Sequence, residues 1–485
     1  MSKTKQKSME ELLEEALVPE EEQPYPVPEN WVWAKVGDLV ELERGITFPA
    51  SAKKDQKEEG LIGCARTANV QEEFIWDDLI YVDKKYLKNN DKKLLRKDDI
   101  VMSTANSYQL VGKVSYIHEL IEPITFGGFI MSIRAKYPVY QKFLYYYFLE
   151  QFLNGKIQKL ASQTTNIANL NGEKIKSLSL PLPPLNEQKR IAEKVERLFA
   201  KIDEAKRLIE EVKESIERRR AVMLEKAFKG QLGTNDPSEK SILETSDDLS
   251  EKDVIPKEQW PYEVPGNWVW VKFGVVAKLF NGYAFKSTDY SDEGIPIIRI
   301  SDLNGMETTP ETAVRVPREL YNEKFLVRKG DLLIAMSGAT TGKIGIYNSD
   351  EIAMQNQRVG NIKTINDNIL YAAYRNYFVI SSSTEISKLA YGGAQPNISG
   401  ALIESLSFPL PPLNEQKRIA EKLDNLLEKL ENEKQLVLAA EEKLDLVKQS
   451  VLQKAFRGEL GTNDPNDGHA MELVKEALLS SSGQR

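Results

Sequence analysis

The stretch Leu178–Gly230 reads LSLPLPPLNEQKRIAEKVERLFAKIDEAKRLIEEVKESIERRRAVMLEKAFKG. The stretch Leu406–Gly458 reads LSFPLPPLNEQKRIAEKLDNLLEKLENEKQLVLAAEEKLDLVKQSVLQKAFRG, and the two align without a gap. An internal repeat of this length decides the architecture before any other feature of a sequence. We therefore expect one structural element that occurs twice in the chain.

The sequence of each copy predicts one long helix. The run Pro181–Pro184 cannot lie inside a helix, and Asn186 just after it is a favourable N-cap. Gly230 and Gly458 are expected to end the two helices, because glycine readily adopts the left-handed conformation found there. From Asn186 to Phe228 the first helix would hold 43 residues, or roughly 64 Å at 1.5 Å per residue.

Apolar residues recur along both helices at alternating steps of four and three, the pattern of a coiled coil. They are Ile191, Val195, Leu198, Ile202, Ala205, Ile209, Val212 and Ile216, and then Ile419, Leu423, Leu426, Leu430, Val437, Ala440, Leu444, Val447 and Val451. A single helix of this kind would expose its apolar seam. Because the two copies match in length, we expect an antiparallel pair within the chain; the alternative is that each copy pairs with another molecule.

A second element, PYPVPENWVWAKVGDL (Pro24–Leu39), returns as PYEVPGNWVWVKFGVV (Pro261–Val276). The two elements alternate, and the second intervening segment is nine residues shorter than the first. We predict an α+β fold, with two globular domains joined by two long antiparallel coiled-coil helices in an internal pseudo-two-fold repeat. The predicted segments are an acidic segment 1–23, a domain 24–178, a helix 179–230, a linker 231–260, a domain 261–405, a helix 406–461 and a tail 462–485.

Within the two domains the sequence predicts mixed strands and loops. The strand-like runs are Asp99–Met102, Ile124–Ile133, Ile295–Ile300, Asp331–Met336 and Arg358–Lys363. Aromatic residues at helical spacing, in Phe143–Leu153 and Tyr371–Phe378, are expected to lie in the core. Met9–Val18 predicts a short acidic helix and Met471–Leu479 a weak helical pattern, while Thr234–Pro256 has the polar, acidic composition of a linker.

Bulk composition limits the class of protein. A chain of 485 residues is long enough for two or three domains. It contains no run of 18 apolar residues and no signal-peptide pattern, which predicts a soluble, cytoplasmic protein. Its one cysteine, Cys64, excludes an internal disulfide framework and fits that location.

The net charge of −8 is distributed unevenly along the chain. Segments 1–30, 231–266 and 459–485 carry net charges of −5, −6 and −3, which leaves +6 for the rest. The acidity is therefore confined to the tails and the linker. The charge of the folded halves neither requires nor excludes binding to nucleic acid.

The two domains share their scaffold positions but differ in their loops. RKDDIVMSTANSYQLVGKVSYI (Arg96–Ile117) aligns with RKGDLLIAMSGATTGKIGIY (Arg328–Tyr347), and Thr164–Pro181 aligns with Ala394–Pro409. Such a pattern is typical of two readers that recognise two different targets.

From about Pro24 to Gly461 the chain resembles the specificity (S) subunit of type I restriction–modification systems. The resemblance is carried by PLPPLNEQKRIAEK, which occurs twice, by NWVW at the start of each half, and by two variable segments joined by two repeated helices. It implies two target-recognition domains, each of which reads one half of a split double-stranded DNA sequence. The two helices would act as a spacer between them.

The resemblance also implies partners. The family's subunit has no catalytic activity and assembles with two modification (methyltransferase) subunits, which use S-adenosylmethionine to methylate adenine. Restriction subunits, which hydrolyse ATP and cut DNA, complete the complex. We therefore expect this chain to bind no cofactor itself, with S-adenosylmethionine, ATP and Mg²⁺ on the partner subunits.

The residue inventory favours a reader over a catalyst. With two histidines and one cysteine, a His/Cys zinc site or a Cys–His nucleophile pair is nearly excluded. The chain has no Asn-Pro-Pro-Tyr motif of the kind that adenine methyltransferases use to hold a flipped base. The segment Gly338–Ile344 resembles a phosphate-binding loop, but it is one residue short and has Ile344 at the Ser/Thr position. It is predicted to be a turn between two strands.

Candidate base contacts lie in the loops that differ between the halves, because they are rich in hydrogen-bonding side chains. For any one of them an ordinary turn residue is an equally good interpretation. In the first half they are Arg66, Thr67, Asn69, Ser103, Asn106, Tyr108, Gln109 and Lys113. In the second half they are Arg299, Ser301, Asn304, Ser337, Thr340, Thr341, Lys343, Gln355, Asn356, Gln357 and Arg358.

Other residues have weaker predicted roles. Lys53, Lys54 and Lys286 are candidates for phosphate contacts, which position a protein on DNA without reading its sequence. Arg218, Arg219, Arg220 and Phe228, with the flanks of the helices, are candidates for a partner-docking surface, and a solvated helix face is the alternative. A stand-alone DNA-binding or coiled-coil scaffold protein without a methyltransferase partner is the competing functional hypothesis.

Overall fold

The computed structural model describes residues 8–164, 167–338, 340–390 and 397–482. They form two compact units. Unit 1 extends to Ile209 and resumes at Ala439, and unit 2 is Glu210–Leu438. Each unit therefore contains one globular domain and parts of both long helices.

Twelve α-helices occur in the described residues, numbered here in chain order with their bounds. They are α1 (Met9–Ala16), α2 (Val36–Leu39), α3 (Gln141–Leu153), α4 (Lys156–Leu160), α5 (Gly172–Lys176), α6 (Leu185–Phe228), α7 (Ile242–Thr245), α8 (Ala372–Ser381), α9 (Ser383–Ala390), α10 (Gly400–Glu404), α11 (Leu413–Phe456) and α12 (Met471–Ser482). No helix of the described ranges is both long enough and apolar enough to cross a membrane.

The strands of unit 1 are β1 (Val32–Lys35), β2 (Val40–Arg44), β3 (Leu61–Ala65), β4 (Ile80–Asp83), β5 (Ile100–Ser103), β6 (Ala105–Asn106), β7 (Val114–Tyr116), β8 (Ile124–Phe126), β9 (Ile130–Ala135), β10 (Ser162–Gln163), β11 (Ala168–Asn169) and β12 (Ser179–Leu182). They form sheets of order β2-β9-β5-β7, β4-β3-β8, β10-β11-β6 and β1-β12. All pairs are antiparallel except β3 with β8.

The strands of unit 2 are β13 (Val269–Lys272), β14 (Ala277–Asn281), β15 (Ile295–Ile298), β16 (Gly305–Thr308), β17 (Arg315–Val316), β18 (Leu326–Val327), β19 (Leu332–Ala335), β20 (Ile344–Tyr347), β21 (Ala353–Gln355), β22 (Val359–Thr364) and β23 (Ser407–Leu410). Their sheets have the orders β14-β22-β19-β20-β16, β17-β15-β21-β18 and β13-β23. The parallel pair of β15 with β21 corresponds to that of β3 with β8.

The predicted strands occur with shifted ends. One differs in kind, because Ile124–Ile133 is two strands, β8 and β9, separated by the turn Gly127–Phe129. The Gly-Gly pair explains the break, since glycine lowers the propensity for a continuous strand and favours a turn.

The aromatic helices α3 and α8 lie in the cores of their units, as predicted. Phe143, Tyr147 and Phe148 of α3 are almost fully buried, as is Tyr374 of α8. In unit 2 the Phe228 ring, at the end of α6, lies 5.1 Å from the Tyr374 ring between centroids. Phe228 is therefore a core residue, and its predicted place on a docking surface is wrong.

The long helices begin one residue earlier than predicted. Helix α6 starts at Leu185, and the Gln188 amide donates to the Pro184 carbonyl at 3.0 Å. Asn186 thus lies in the first turn and is not the N-cap. Pro184 precedes the first helical residue, and because proline has no backbone N–H it adds no unsatisfied donor at the start of the helix.

The long helices end at the predicted glycines. The Gln231 amide donates to the Lys226 carbonyl at 2.8 Å, and the Gly230 amide donates to the Ala227 carbonyl at 3.4 Å. With φ of +68° at Gly230, this is a Schellman motif. Gly458 repeats it at the end of α11, with φ of +74°.

Within each unit the two long helices pack as an antiparallel pair. In unit 1 Lys206 and Asp445 form an ion pair at 2.7 Å. In unit 2 Arg219 pairs with Glu433, and Lys434 lies 3.9 Å from Glu217. As the residue numbers rise along α6, those of the ion-pair partners on α11 fall, which confirms the intramolecular antiparallel arrangement.

The apolar seam is covered at the ends of the helices and less so near their middles. Ile191 and Val195 are fully buried in the core of unit 1, and Ile419 and Leu423 in that of unit 2. Other apolar residues of these helices remain exposed. They are Leu208, Leu446 and Val447 in unit 1, and Val212, Val222, Leu436 and Leu438 in unit 2.

The linker and the tail are packed against their units and do not form the solvated segments that their composition predicts. In unit 2 Ile242, Leu249 and Ile255 are buried, although acidic residues surround them in the sequence. In unit 1 helix α12 buries Val474 and Ala477 in the same core as Ala16 of α1. A few well-spaced apolar residues are sufficient to fix a mostly polar segment.

The repeated Leu-Asn-Glu-Gln motif connects each domain to its helices. In unit 1 the Gln188 side chain donates to the Pro183 carbonyl at 2.9 Å and accepts from the Tyr140 amide, just before α3, at 2.8 Å. In unit 2 Gln416 makes the equivalent bonds with Pro411 and the Tyr371 amide, at 2.9 and 2.8 Å. This glutamine fixes the proline run and the start of the aromatic helix together.

The glutamate of the motif binds the segment that follows the other long helix. Glu187 is buried and accepts from the backbone amides of Thr462 and Asn463, at 2.7 and 3.0 Å. Arg190 then links Glu187 to Asp467. We call Glu187, Gln188 and Arg190 with their contacts the first joint.

The second joint consists of Glu415, Gln416 and Arg418 with their contacts. Glu415 accepts from the Asn235 amide at 3.0 Å and the Thr234 hydroxyl at 2.8 Å, and Arg418 connects it to Glu239. Burial acts to raise the pKa of Glu415, but hydrogen bonds from Asn235, Arg418 and Thr234 outweigh it and lower the pKa below its usual value.

Candidate nucleic-acid interface

In unit 1 the predicted loops meet at one edge of the sheets. The Gly127 amide donates to the Ala65 carbonyl at 2.9 Å, which places Arg66 beside the turn Gly127–Phe129. The Thr104 amide donates to the Phe129 carbonyl at 2.8 Å, which brings the loop after β5 to the same turn. These residues, with Arg44 at the end of β2, form the first edge.

Arg66 opens a tight corner on the first edge. Its amide donates to the Asn69 side chain at 2.7 Å, and its guanidinium pairs with the Asp78 carboxylate at 2.6 Å. Asn69 is fully buried, and its amide group donates to the carbonyls of Ile75 and Asp78. Asn69 therefore shapes the corner and is not accessible for base contact, while Arg66 and Thr67 remain partly exposed.

The loop after β5 divides into buried and exposed parts. Ser103 is buried and accepts from the Asn106 side chain at 3.3 Å, so it is not accessible for base contact. Tyr108 and Gln109 are exposed at the end of the loop. Lys113 is partly buried and donates to the Gln71 side chain, and burial lowers its pKa.

In unit 2 the corresponding loops meet in the same way. The Asn356 amide donates to the Ile298 carbonyl at 3.0 Å, which places Arg299 beside the turn Asn356–Arg358. The Met336 amide donates to the Arg358 carbonyl at 2.9 Å and brings the loop Ser337–Lys343 to that turn. These residues and Asn281, at the end of β14, form the second edge.

Arg299 repeats the corner of Arg66 with a different partner. Its amide donates to the Asp302 carboxylate at 2.9 Å, and its guanidinium lies 3.2 Å from the same group. The hydrogen bond to Asp302 raises the pKa of Arg299. Ser301 and Asn304 are exposed beside it.

The loop Ser337–Lys343 connects β19 to β20, so the prediction of a turn between two strands is confirmed; Ala339 lies outside the described residues. Thr341 is buried, and its hydroxyl donates to the Gly338 carbonyl at 2.7 Å. It supports the turn and is not accessible. Ser337 and Thr340 are partly exposed and Lys343 is exposed.

The run Gln355–Arg358 also contains both buried and exposed side chains. Gln355 is buried, and its side chain donates to the Phe280 carbonyl at 2.8 Å, so it holds β14 in place and does not face solvent. Asn356 is partly exposed, and Gln357 and Arg358 are exposed.

The sequence interpretation missed several residues of the two edges. Arg44 is exposed, and its guanidinium donates to the Gly128 carbonyl at 2.9 Å. Phe129 and Tyr283 are large apolar side chains that remain exposed. No sequence signal marks Phe129 as the counterpart of Arg358, because Phe126–Phe129 and Gln355–Arg358 have no residue in common and only the backbone hydrogen bonds match the two turns.

The remaining predicted residues lie elsewhere. Lys53 and Lys54 are exposed in unit 1, with Lys53 lining a cavity beside Arg66, and Lys286 is exposed in unit 2. Arg218 forms an ion pair with Glu214 on α6, and Arg220 lines a cavity of unit 2. The described residues hold no group of three or more His, Cys, Asp or Glu side chains that could bind a metal ion.

Comparison with known proteins identifies the family. A family model described as the type I restriction modification DNA specificity domain matches residues 28–214 and again residues 265–441. The chain belongs to this family. It is thus a specificity subunit with two DNA-recognition domains, a non-catalytic component of a type I restriction–modification complex.

Curated relatives match along nearly their full length. The EcoKI specificity subunit of Escherichia coli is 26% identical over 445 residues, 90% of this chain and 90% of that protein. The MjaVIII specificity subunit of Methanocaldococcus jannaschii is 27% identical over 438 residues, 86% of this chain and 92% of that protein.

Solved structures share the fold. A chain from a study of complex assembly and conformational transition of the type I R-M system has a TM-score of 0.68 at 20% identity, covering 90% of this chain and all of that one. The HsdS subunit from Thermoanaerobacter tengcongensis has a TM-score of 0.52 at 20% identity, covering 90% of this chain and 99% of that one.

Proposed function

We propose that each edge reads one half of a split double-stranded DNA sequence. The observation that carries the proposal is the combination of one backbone frame with two sets of exposed side chains. In both units the corner after β3 or β15, the loop after β5 or β19 and the turn after β8 or β21 meet at the ends of their strands. Loops at such ends are free to carry function, because the sheets behind them fix their position.

The side chains proposed to contact bases are those that are exposed or partly exposed at the edges. They are Arg66, Thr67, Asn106, Tyr108, Gln109 and Lys113, and then Arg299, Ser301, Asn304, Ser337, Thr340, Lys343, Asn356, Gln357 and Arg358. Arginine suits guanine, and the amides suit adenine. Asn69, Ser103, Thr341 and Gln355 hold the loops in shape, and Lys53, Lys54 and Lys286 are proposed to contact phosphates.

We further propose that the long helices act as a spacer and dock two methyltransferase subunits. Each helix has 44 residues and passes through both units, so its length couples the two domains. Support for docking comes from apolar residues that are exposed on the long helices of each unit, Leu208, Leu446 and Val447 in unit 1 and Val212 and Leu436 in unit 2. An amphipathic helix of a partner would cover such residues within a unit.

Unit 2 also has a cavity of about 490 Å³ on its helices, lined by Ile216, Arg218, Lys434 and Leu438 among others. Restriction subunits would complete the assembly. In this proposal S-adenosylmethionine, ATP and Mg²⁺ are bound by the partner subunits, and the complex works in the cytoplasm. The internal repeat would offer two equivalent surfaces to two copies of one partner.

Single-molecule methylation sequencing of the host genome, with and without this gene, tests the proposal. We expect N6-methyladenine to disappear at one two-part motif with a fixed gap when the gene is deleted. The motif would name both half-sites and the gap at once. An unchanged pattern, in cells that express the gene and its methyltransferase partner, would contradict the proposal.

A further inference from the structure

The turns Gly127–Phe129 and Asn356–Arg358 have the same backbone frame. The Ile46 amide donates to the Phe126 carbonyl at 2.8 Å, and the Tyr283 amide donates to the Gln355 carbonyl at 3.0 Å. Both pairs are also parallel bridges, Ile46 with Gly127 and Tyr283 with Asn356.

Two further bonds of the turn recur. The Ile130 amide donates to the Gly127 carbonyl at 2.8 Å, and the Val359 amide donates to the Asn356 carbonyl at 2.9 Å. The carbonyl of the last turn residue accepts from the residue directly after a neighbouring strand in both units, from Thr104 after β5 in one and from Met336 after β19 in the other. Phe129 and Arg358 therefore occupy equivalent positions.

A glycine on the adjacent strand locks each turn in place. A Cβ at Gly45 would overlap the carbonyl oxygens of Phe126 and Gly127, and a Cβ at Gly282 would overlap those of Gln355 and Asn356. Only glycine permits this approach, so the main chain of the turn is fixed by main chain on both sides. The side chain at its tip has no part in holding it.

The tip side chains differ completely in chemistry. Phe129 is 62% exposed, although phenylalanine is usually buried. It lines two cavities of about 330 and 380 Å³, and Arg44 lines both with it. Arg358 is exposed, and its guanidinium has no side-chain partner within residues 8–164, 167–338, 340–390 and 397–482.

We propose that this tip residue is a main specificity-determining contact of each half. Phe129 makes an apolar contact with a base of the first half-site, for which the methyl group of thymine is the suitable partner. Arg358 binds a guanine of the second half-site through two parallel hydrogen bonds. Arg44 and Lys53, which line a cavity with Phe129, add positive charge suited to nearby phosphates. The inference rests on the proposed function.

An exchange of the two tip residues tests it. The full chain is co-expressed with its methyltransferase partner, and methylation is sequenced for the wild type, Phe129→Arg and Arg358→Phe. We expect F129R to replace thymine by guanine at one position of the first half-site and to leave the second half-site and the gap unchanged. R358F should relax one guanine of the second half-site only.

Binding by the purified complex covers the case in which a variant methylates nothing. Duplexes with each single substitution in the first half-site compete with the native site for wild type, Phe129→Ala and F129R. We expect F129A to lose about tenfold or more in preference for thymine at one position. Because the Phe129 side chain is exposed, the thermal stability of F129A should equal that of the wild type.

Ile121→Ala is the matched control. Ile121 is 71% exposed and precedes β8, whereas Phe129 follows that strand, so it lies toward the opposite end from the turn. It should change neither methylation nor binding. If the wild type yields no two-part motif, the proposed function fails. If the wild type yields one while F129A, F129R and R358F all keep every base preference, only this inference is wrong.

Discussion

The joints and the edges of this protein are both repeated, but different things are repeated in them. At the joints Glu187, Gln188 and Arg190 return as Glu415, Gln416 and Arg418 with the same hydrogen bonds. At the edges the backbone bonds return, but Phe129 is replaced by Arg358.

The difference depends on which atoms form the hydrogen bonds that hold each region together. At a joint, a buried carboxylate binds backbone amides, and no other side chain offers the same acceptor at the same reach. At the turn of each edge, main chain binds main chain, so the exposed side chain at its tip can change at little cost in stability. A protein built in this way can change its target without changing its fold.

The largest expected effect is at the joints. Glu415→Gln should destabilise unit 2 by about 3 kcal/mol, since an amide in place of the carboxylate leaves Arg418 and two other donors poorly paired in a buried site. Glu187→Gln should do the same to unit 1. Urea unfolding that is monitored by hydrogen exchange measures the free energy of unfolding of each unit separately. Unequal effects would show that the two joints are not equivalent.

Comparison of the wild type with E415Q also predicts how the stability of unit 2 depends on pH. Because the pKa of Glu415 is lowered in the folded state, its contribution to stability is present above its unfolded pKa of about 4.3 and is lost as pH falls through the lower, folded value. E415Q should remove this part of the acid sensitivity of unit 2. If the slope of stability against pH stayed the same, Glu415 would not be its source.

A smaller effect is expected where main chain approaches main chain. Gly45→Ala and Gly282→Ala should each destabilise their own unit by about 1–3 kcal/mol and impair only their own half-site, because the added methyl group displaces the turn. Gly266→Ala is the control, since a methyl group there meets open space. Thermal unfolding and methylation sequencing report the two effects. If one substitution abolished recognition of both half-sites, the two turns would not act independently.

The smallest effect is expected at the arginine corners. Asp302→Asn gives unit 2 the residue type that Asn69 supplies in unit 1, and the amide oxygen can still accept from the Arg299 backbone. The loss in stability should be about 1 kcal/mol or less. Removal of a carboxylate beside an arginine that is proposed to contact DNA should strengthen non-specific binding and steepen its salt dependence.

Salt titration of binding to unrelated duplex DNA measures this, with Asp78→Asn as the matched change beside Arg66. A large loss of stability in either variant would show that the carboxylate is structural and that the two corners are not interchangeable.

Prediction from sequence succeeded where a pattern is local. The heptad seam, the proline run and Gly230 sufficed to place α6 within one residue, since helix ends depend on nearby residues. The sequence did not separate the buried from the exposed side chains of the predicted loops, because Asn69, Ser103, Thr341 and Gln355 are as polar as their exposed neighbours and only packing distinguishes them.

The sequence by itself determined the repeat, the two long helices, the mixed domains and the family, because these follow from periodicity and from motifs that bind their own neighbourhood. Only the tertiary structure decided that α6 and α11 each contribute to both units, that the linker is packed, and that Phe129 and Arg358 are equivalent. These depend on contacts between residues far apart in the chain, and the side-chain chemistry of each residue alone does not specify them.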